Sequence, residues 1–371
     1  MVAAFQLDSV VREARARTGV PGVAAGLSVR GEATAVADGV LELGRAEPVR
    51  ADTPFRIASV SKPFTAALAA GCLPLDEKLR HRLSHTGDLR CERPIPLPSS
   101  AWGLFSYSNA GYWLAGTLAA QAAGTSFEQA IQSRILEPLD LAATGYDEPA
   151  APARGHVQEG ETGHGPLPVD SYAPERRPSG GLWSTVGDLL TFGAGQFASD
   201  GRLFEPQAEA LGAHYALGWW VRTLEDGATA YDHEGSVAGY QSLLLLLPER
   251  ELVLAVLTNS WRGSGLIRRV VEGLGLLPRP QPGSNQGAAV AGRYALDGTE
   301  AVVAETADGI HVEEREKDPV TGVAIVRRYA AQPLGGTVYG FAGGALMSHR
   351  LDFPRPSIAR IGWTALPRVE S

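Results

Sequence analysis

The sequence YQSLLLLLPERELVLAVLTN, residues 240–259, carries the clearest strand pattern in the chain. Two short apolar runs of Leu, Val and Ala flank the polar turn at 248–250, which predicts two buried strands joined by a tight connection. Upstream, YALGWWVRTL (215–224) and ATAYDHEG (228–235) alternate with a period of two, and short turns separate them. We therefore expect four consecutive antiparallel strands.

The regions on either side of these strands predict what covers the sheet. GSGLIRRVVEGLGLL (263–277) and the N-terminal stretch before Gly19 have helical periodicity, whereas GVAAGLSV (22–29) and ATAVADGVLEL (33–43) predict two more strands. The intervening chain contains several helical stretches and a region, 147–180, that is typical of a long surface loop. The prediction is an α+β fold in which an antiparallel sheet is flanked by the two terminal helices and carries an inserted helical subdomain, over residues 1–276.

The C-terminal part of the chain has a different pattern. LPRPQPGSNQGAA (277–289) has the composition of a linker. Residues 290–371 then contain seven short strand-like stretches at regular spacing, from GRYAL to SIARIGWTAL, which predict a small all-β sandwich or barrel.

Composition and charge exclude several classes of function. The net charge is −8 and no concentrated basic face occurs, so a nucleic-acid partner is not expected. The longest apolar run is too short to span a bilayer, and the N-terminus lacks a leader pattern, so we expect a cytoplasmic protein without a membrane partner unless a leader has been removed. Cys72 and Cys91 stand in no metal-ligand spacing, so reduced thiols and no metal or cofactor are expected. The oligomeric state stays open.

Chemistry is suggested first by SVSK, residues 59–62. On a helix, residues three apart share a face, so Ser59 can approach Lys62. A buried lysine loses solvation and its pKa falls, so it can act as a base, while the Ser59 backbone N–H at a helix start is free to stabilise an oxyanion. Taken alone, the motif favours a capping serine and an exposed lysine.

Two further motifs carry suitable groups. YSN presents Tyr107 for proton transfer and Asn109 for a lysine or a substrate carbonyl, although aromatic residues and Asn are common in turns. At the end of a predicted strand, His233, Glu234 and Gly235 precede Ser236, whose N–H can provide a second oxyanion donor; the alternative for His233 is an ordinary strand histidine.

The order of these motifs resembles the serine β-lactamase and penicillin-binding-protein superfamily, and its class C branch in particular, whose members include esterases, D-aminopeptidases, DD-carboxypeptidases and acyltransferases. The stretches TPFRIASVSKPFTA, HRLSHTGDL, YSNAGYWLAG, PSGGLWSTVGDLLTF and HEGSVAGYQS carry the likeness, over roughly residues 1–275. The C-terminal part resembles the lipocalin-like β domains of some members, less specifically.

The resemblance implies roles for the site residues. Ser59 is expected to form an acyl-enzyme, with Lys62 and Tyr107 sharing the proton transfers and the identity of the base open. Asn109 is expected to orient Lys62 and the substrate, the Ser59 and Ser236 amides to form the oxyanion hole, and His233, Glu234 and Gly235 to face the substrate.

Two departures from the family pattern bear on the substrate. His233 stands where many members have a lysine, so a substrate carboxylate is expected to bind poorly. The chain between Ser59 and Tyr107 also looks short, which predicts a reduced helical roof and an open cleft.

The resulting hypothesis is a serine esterase or transacylase for an uncharged ester, thioester or amide, in cytoplasmic small-molecule metabolism. Its partners are a small acyl donor and water, an amine or an alcohol. The alternatives are a D-amino-acid amidase or peptidase, a weak β-lactamase, and, from another class, a catalytically silent ligand-binding module.

Overall fold

The computed structural model describes residues 4–92, 96–97, 99–159, 163–166, 172–199, 201–279, 290–296, 299–307, 309–317, 324–335, 338–341, 350–355, 357–361 and 364–369. Within these residues, seven α-helices form: α1 (Ala4–Thr18), α2 (Ser61–Cys72), α3 (Glu77–Leu83), α4 (Asn109–Ala123), α5 (Phe127–Ile131), α6 (Val186–Gln196) and α7 (Gly263–Gly273). None of these helices is both long and apolar enough to cross a lipid bilayer.

The strands up to residue 279 are β1 (Gly22–Val29), β2 (Glu32–Gly39), β3 (Phe55–Arg56), β4 (His156–Glu159), β5 (Gly163–Pro166), β6 (Trp183–Ser184), β7 (Ala208–Ala210), β8 (Ala213–Tyr215), β9 (Trp220–Leu224), β10 (Thr229–Val237), β11 (Tyr240–Leu247), β12 (Leu252–Thr258) and β13 (Pro278–Arg279). The main antiparallel sheet has the order β2-β1-β12-β11-β10-β9-β8-β7, with β13 paired to β9. The short strands β3 and β6 pair with each other and lead into the site.

The leucine run of β11 is buried on both faces of the sheet. Leu243, Leu245 and Leu247 belong to one apolar core with residues of α1 and α7, whereas Leu244 and Leu246 belong to a second core with α2 and α6. A central strand covered on both sides needs no polar residue, which explains the unbroken run of five leucines. The predicted sheet and its two terminal helices are confirmed.

The region 147–180 is not only a surface loop. Its described part contains the β4–β5 hairpin and the 3₁₀ segment Pro174–Ser179, and His156 and Ser179 are almost fully buried. His156 is held by neighbouring main-chain groups of Leu43 and Asn259. The Gly, Pro and polar composition that suggested exposure reflects tight turns inside the fold.

The C-terminal strands form a closed barrel of eight strands: β14 (Gly292–Leu296), β15 (Thr299–Thr306), β16 (Gly309–Lys317), β17 (Ala324–Gly335), β18 (Val338–Phe341), β19 (Arg350–Arg355), β20 (Ile358–Ile361) and β21 (Thr364–Val369). The last predicted stretch, SIARIGWTAL, forms the two strands β20 and β21. Of the linker predicted at 277–289, residues 280–289 lie outside the described residues.

Candidate active site

Ser59 lies on a strained turn between strand β3 and helix α2. The turn is the 3₁₀ segment Ala58–Val60, in which Ala58 has a φ of 46°. This left-handed conformation is rare for a residue with a side chain and is typical of functional sites. Ile57 anchors the turn, because its N–H donates to Leu182 O at 3.0 Å and its carbonyl accepts from Ser242 Oγ at 2.7 Å. Ser59 is the partly exposed residue of this turn.

Lys62 is fully buried one helical turn beyond Ser59. Its Nζ lies 3.1 Å from Ser59 Oγ and donates to the carbonyl of Ser179 at 2.7 Å. Burial lowers the pKa of Lys62 to about 7, and the nearby Cys91 and Glu92 offset part of that decrease. A substantial fraction of this amine is therefore neutral at neutral pH and can accept the Ser59 proton. The alternative of an exposed surface lysine is excluded.

Tyr107 is the third member of this group. Its side chain is buried and hydrogen-bonded to Ser59, and its ring centre lies 4.8 Å from Lys62 Nζ. Burial raises the pKa of Tyr107 well above its ordinary value. At neutral pH the side chain is therefore a phenol, which can pass a proton but is not a ready-made phenolate base.

His85, which the sequence analysis did not single out, holds the main chain on both sides of Tyr107. Its carbonyl accepts from Ser106 N at 2.8 Å and its Nδ1 accepts from Ser108 N at 3.0 Å. A φ of 59° at His85 allows carbonyl and side chain to face the same segment. Burial lowers the pKa of His85, so the ring is neutral and Nε2 carries the proton. Its only sequence signal is its place in the family-like stretch HRLSHTGDL.

Asn109 begins helix α4 beside the same turn but does not hold Lys62 as expected. Its Nδ2 donates to the carboxylate of Glu92 and lies 4.0 Å from Cys91 Sγ. This contact sets the orientation of the amide, and Oδ1 is buried without a hydrogen-bond partner among the described residues. Of this pair, the Glu92 carboxylate is the group exposed to solvent.

The strand end carrying Ser236 faces the Ser59 turn. Strand β10 pairs with β9 only as far as Asp232, so its outer edge beyond that point is not covered by β9. Val237 and Tyr240 close a two-residue turn with β11, and antiparallel alternation then points the Ser236 N–H away from β11. The Ser236 N–H therefore lies on the strand edge that β9 does not cover, and its role in an oxyanion hole stays a prediction.

Gly235 allows this approach for a different reason from the one expected. A Cβ at this position would lie 2.2 Å from the carbonyl oxygen of Ile57 and 2.2 Å from Ser242 Oγ. The glycine therefore makes room for the protein's own Ser59 turn, whereas it was expected to face the substrate.

His233 and Glu234 also differ from the expected substrate-facing pair. His233 is buried, its Nδ1 donates to Glu234 O at 2.7 Å, and its Nε2 accepts from Tyr215 O–H at 3.0 Å. Burial lowers the pKa of His233 to about 3, so the ring is neutral and both nitrogens are engaged. Neither ring nitrogen is left to bind a substrate directly. Glu234 has a half-buried side chain, and its main-chain carbonyl fixes the His233 tautomer.

Ser179 is a second residue that the sequence analysis missed. Its carbonyl accepts from Lys62, and its hydroxyl accepts from Trp113 Nε1 at 2.8 Å. A hydrogen bond also joins it to Tyr172, whose ring packs against the positions of Gly180 and Gly181. Ser179 lies in the family-like stretch PSGGLWSTVGDLLTF, but the Pro and Gly residues around it suggested a loop.

Comparisons with known proteins agree with this geometry. A family model described as Beta-lactamase matches residues 7–80 and 76–272. Penicillin-binding protein 4 of Amycolatopsis lactamdurans is 27% identical over 308 residues, with coverage of 65% of this chain and 81% of the relative.

Two solved structures show the same fold. The crystal structure of SurE, also solved with D-Leu, covers 99% of both chains with a TM-score of 0.73 and 22% identity. D-amino acid amidase from Ochrobactrum anthropi SV3, complexed with L-phenylalanine amide, covers 73% of this chain and 98% of its own, with a TM-score of 0.62 and 22% identity. Because the family match spans nearly the whole of the main sheet and the Ser59 site, the chain belongs to the β-lactamase family of serine hydrolases, within the serine β-lactamase and penicillin-binding-protein superfamily.

Proposed function

We propose that the protein is a serine esterase or transacylase that forms an acyl-enzyme on Ser59 from an uncharged ester, thioester or amide. The observation that carries this proposal is the fully buried Lys62, whose Nζ lies 3.1 Å from Ser59 Oγ and whose pKa burial lowers to about 7. A neutral amine at this distance is a base poised for proton transfer at neutral pH.

In the proposed acylation, Ser59 Oγ attacks the donor carbonyl carbon and its proton passes to Lys62. The carbonyl electron pair moves onto oxygen, where the N–H groups of Ser59 and Ser236 stabilise the charge, each by about 3 kcal/mol. When the intermediate collapses, the Lys62 proton reaches the leaving group through the Tyr107 hydroxyl. Water, an amine or an alcohol then attacks the carbonyl carbon of the acyl-enzyme ester and gives its proton to Lys62. The bond between the acyl carbon and Ser59 Oγ breaks, and Oγ takes the proton from Lys62 to regenerate the serine.

The preference for uncharged donors follows from His233. A lysine at this position would offer a cation to a substrate carboxylate, whereas the His233 ring is neutral, buried and engaged with Tyr215 and Glu234. A donor that carries a carboxylate therefore gains no ion pair from this position. An ester or amide without a carboxylate is at no disadvantage in binding affinity.

The second candidate is a D-amino-acid amidase or peptidase, and the contact between Glu92 and Asn109 favours it. The exposed Glu92 carboxylate accepts from Asn109 Nδ2 and lies close enough to Lys62 to influence the pKa of that amine. A protonated amine on the donor can bind such a pair through charge-assisted hydrogen bonds. The amidase named above and the structure of SurE with D-Leu make D-amino acyl donors the first class to test.

The decisive experiment exposes the protein to activated esters, thioesters, amides and the β-lactam nitrocefin, each with and without added amines. Intact mass spectrometry follows the adduct, and chromatography follows the products. We expect an adduct on the parent protein and none on Ser59→Ala, with ester turnover exceeding nitrocefin turnover. Equal labelling of both proteins would instead support a catalytically silent binding module, and faster nitrocefin turnover would support a β-lactamase.

Glu92→Gln tests the second candidate. Removing the carboxylate should lower the acylation rate with free D-phenylalanine amide about tenfold, the equivalent of one charge-assisted hydrogen bond. The N-acetylated amide, which has no ammonium, serves as the matched control: its acylation rate should not fall in Glu92→Gln, and near neutral pH it should rise slightly because loss of the carboxylate lowers the pKa of Lys62. Equal losses on the two donors would remove the support for ammonium recognition.

We place this reaction in cytoplasmic small-molecule metabolism, with a small acyl donor as the partner. Cell fractionation tests the location: recovery of the protein with the periplasmic or secreted fraction would overturn it.

A further inference from the structure

The barrel touches the catalytic part of the chain directly before Tyr107. Ile358 and Ala365 of β20 and β21 are fully buried against Leu97 and Ala101 in one small apolar cluster. Leu97 and Ala101 belong to residues 97–106, the segment that leads into the Tyr107 turn. The packing therefore joins the barrel wall to the approach segment of a proposed site residue.

A hydrogen bond extends this contact to the residue before Tyr107. The main-chain N–H of Ala365 donates to Ser106 Oγ at 3.3 Å, and Ser106 is almost fully buried. On its other side, the Ser106 N–H donates to His85 O at 2.8 Å. Ser106 is thus held between the barrel and the catalytic fold.

A second contact reaches the turn between β7 and β8. The buried Asp352 and Arg360 pair through Nε–Oδ1 and Nη2–Oδ2 distances of 2.6 and 2.5 Å. Asp352 also accepts from Leu211 N at 2.9 Å, and Arg360 Nη1 donates to Glu209 O at 2.8 Å. Strand β8 ends at Tyr215, the hydrogen-bond partner of His233.

We propose that the barrel is a positioning element of the active site, which holds residues 97–106 so that Tyr107 stays in register with Ser59 and Lys62. This role rests on the proposed acyl-enzyme function, in which Tyr107 passes a proton. Ile358 and Ala365 act through Ser106 and the 97–106 segment and touch no reacting atom. Displacing a proton-transfer group by about 1 Å can slow a reaction by about two orders of magnitude, so modest loosening of this contact is measurable.

The test compares two Ile→Ala variants of the full-length protein. Ile358→Ala opens a cavity in the interface, whereas Ile310→Ala opens one in the barrel's own core. We expect Ile358→Ala to speed amide hydrogen exchange in residues 97–106 and to lower kcat about tenfold, with KM within about twofold of the parent. The control Ile310→Ala should lower the Tm by a similar amount but leave hydrogen exchange in residues 97–106 and kcat at the parent values.

Equal effects of the two variants on exchange and kcat would overturn the proposal, as would faster exchange without slower acylation. If the parent itself forms no adduct, the proposed function fails, and exchange alone then decides whether the barrel holds the segment. Ile358→Val and Ile310→Val, which each remove one methyl group, provide the same comparison if the alanine variants do not fold.

Discussion

The pH dependence of Ser59 acylation tests the proposed role of Lys62 most directly. Burial lowers the pKa of Lys62 to about 7, so the protonated form is the inactive one and the rate should rise with pH. For a single ionisation at pH 7, the neutral fraction is about 1% at pH 5, about 10% at pH 6 and above 90% at pH 8. The acylation rate should therefore increase about 100-fold from pH 5 to a plateau near pH 8.

The buried rings around this group have pKa values shifted away from that window. Burial lowers the pKa of His233 to about 3 and that of His85 well below its ordinary value, and burial raises the pKa of Tyr107 well above its ordinary value. The profile should consequently contain one inflection with unit slope. Because the Glu92 carboxylate raises the pKa of Lys62, Glu92→Gln should move the inflection to lower pH.

The assay is single-turnover acylation by an activated ester, quenched in acid and read by intact mass between pH 4.5 and 9. Ser59→Ala corrects for reaction elsewhere on the protein, and the spontaneous hydrolysis of the ester is subtracted at each pH. The arginine of Lys62→Arg stays protonated across this range, so the acylation rate of this variant should be low and independent of pH. A rate that still climbs log-linearly at pH 9, or one independent of pH, would refute the assignment of Lys62 as the base.

Three other outcomes follow from specific contacts. His85→Asn keeps a side-chain acceptor and tolerates the positive φ, so it should retain more activity than His85→Ala when both have equal helical content by circular dichroism. Equal activities would contradict the role of the His85 side chain in holding the main chain beside Tyr107. Gly235→Ala should abolish acylation and lower the Tm, because its Cβ would collide with the Ile57 carbonyl. Parent-like activity would show that strand β10 does not pack this closely against the Ser59 turn. Asp232→Ala leaves Arg222 buried without its ion-pair partner and should lower the free energy of unfolding, measured in urea, by about 3–5 kcal/mol. The double variant Arg222→Met with Asp232→Leu should recover most of that loss. An Asp232→Ala variant as stable as the double variant would refute the reasoning.

The fold was largely predictable because its strong signals are local. The period-two stretches between residues 215 and 259 form strands β9 to β12, and the amphipathic terminal helices pack on one face. The barrel was predicted from strand spacing, but SIARIGWTAL, which contributes to both β20 and β21, was counted as one strand because a single glycine interrupts its apolar sequence.

The parts of the site that were missed depend on long-range contacts. Nothing near Ser179 in sequence shows that its carbonyl accepts from Lys62, 117 positions earlier. The burial of His233 likewise depends on Tyr215, and the role of Ser106 depends on Ala365. Motifs identified Ser59, Lys62 and Tyr107 as candidates, whereas the groups that hold them in place belong to segments whose composition is ordinary.

The pairing of β1 with β12 has a consequence for how the chain is made. On its β12 side, each residue from Val23 to Val29 finds its partner more than 220 positions later, from Val29 with Leu252 to Val23 with Thr258. At a synthesis rate of about 5–20 residues per second, strand β1 waits roughly 10–45 seconds for β12 to emerge. During that interval β1 can pair with β2 and pack against α1, but its other edge lacks β12 and this core lacks α7, so the nascent chain is most exposed to aggregation before residue 258 leaves the ribosome.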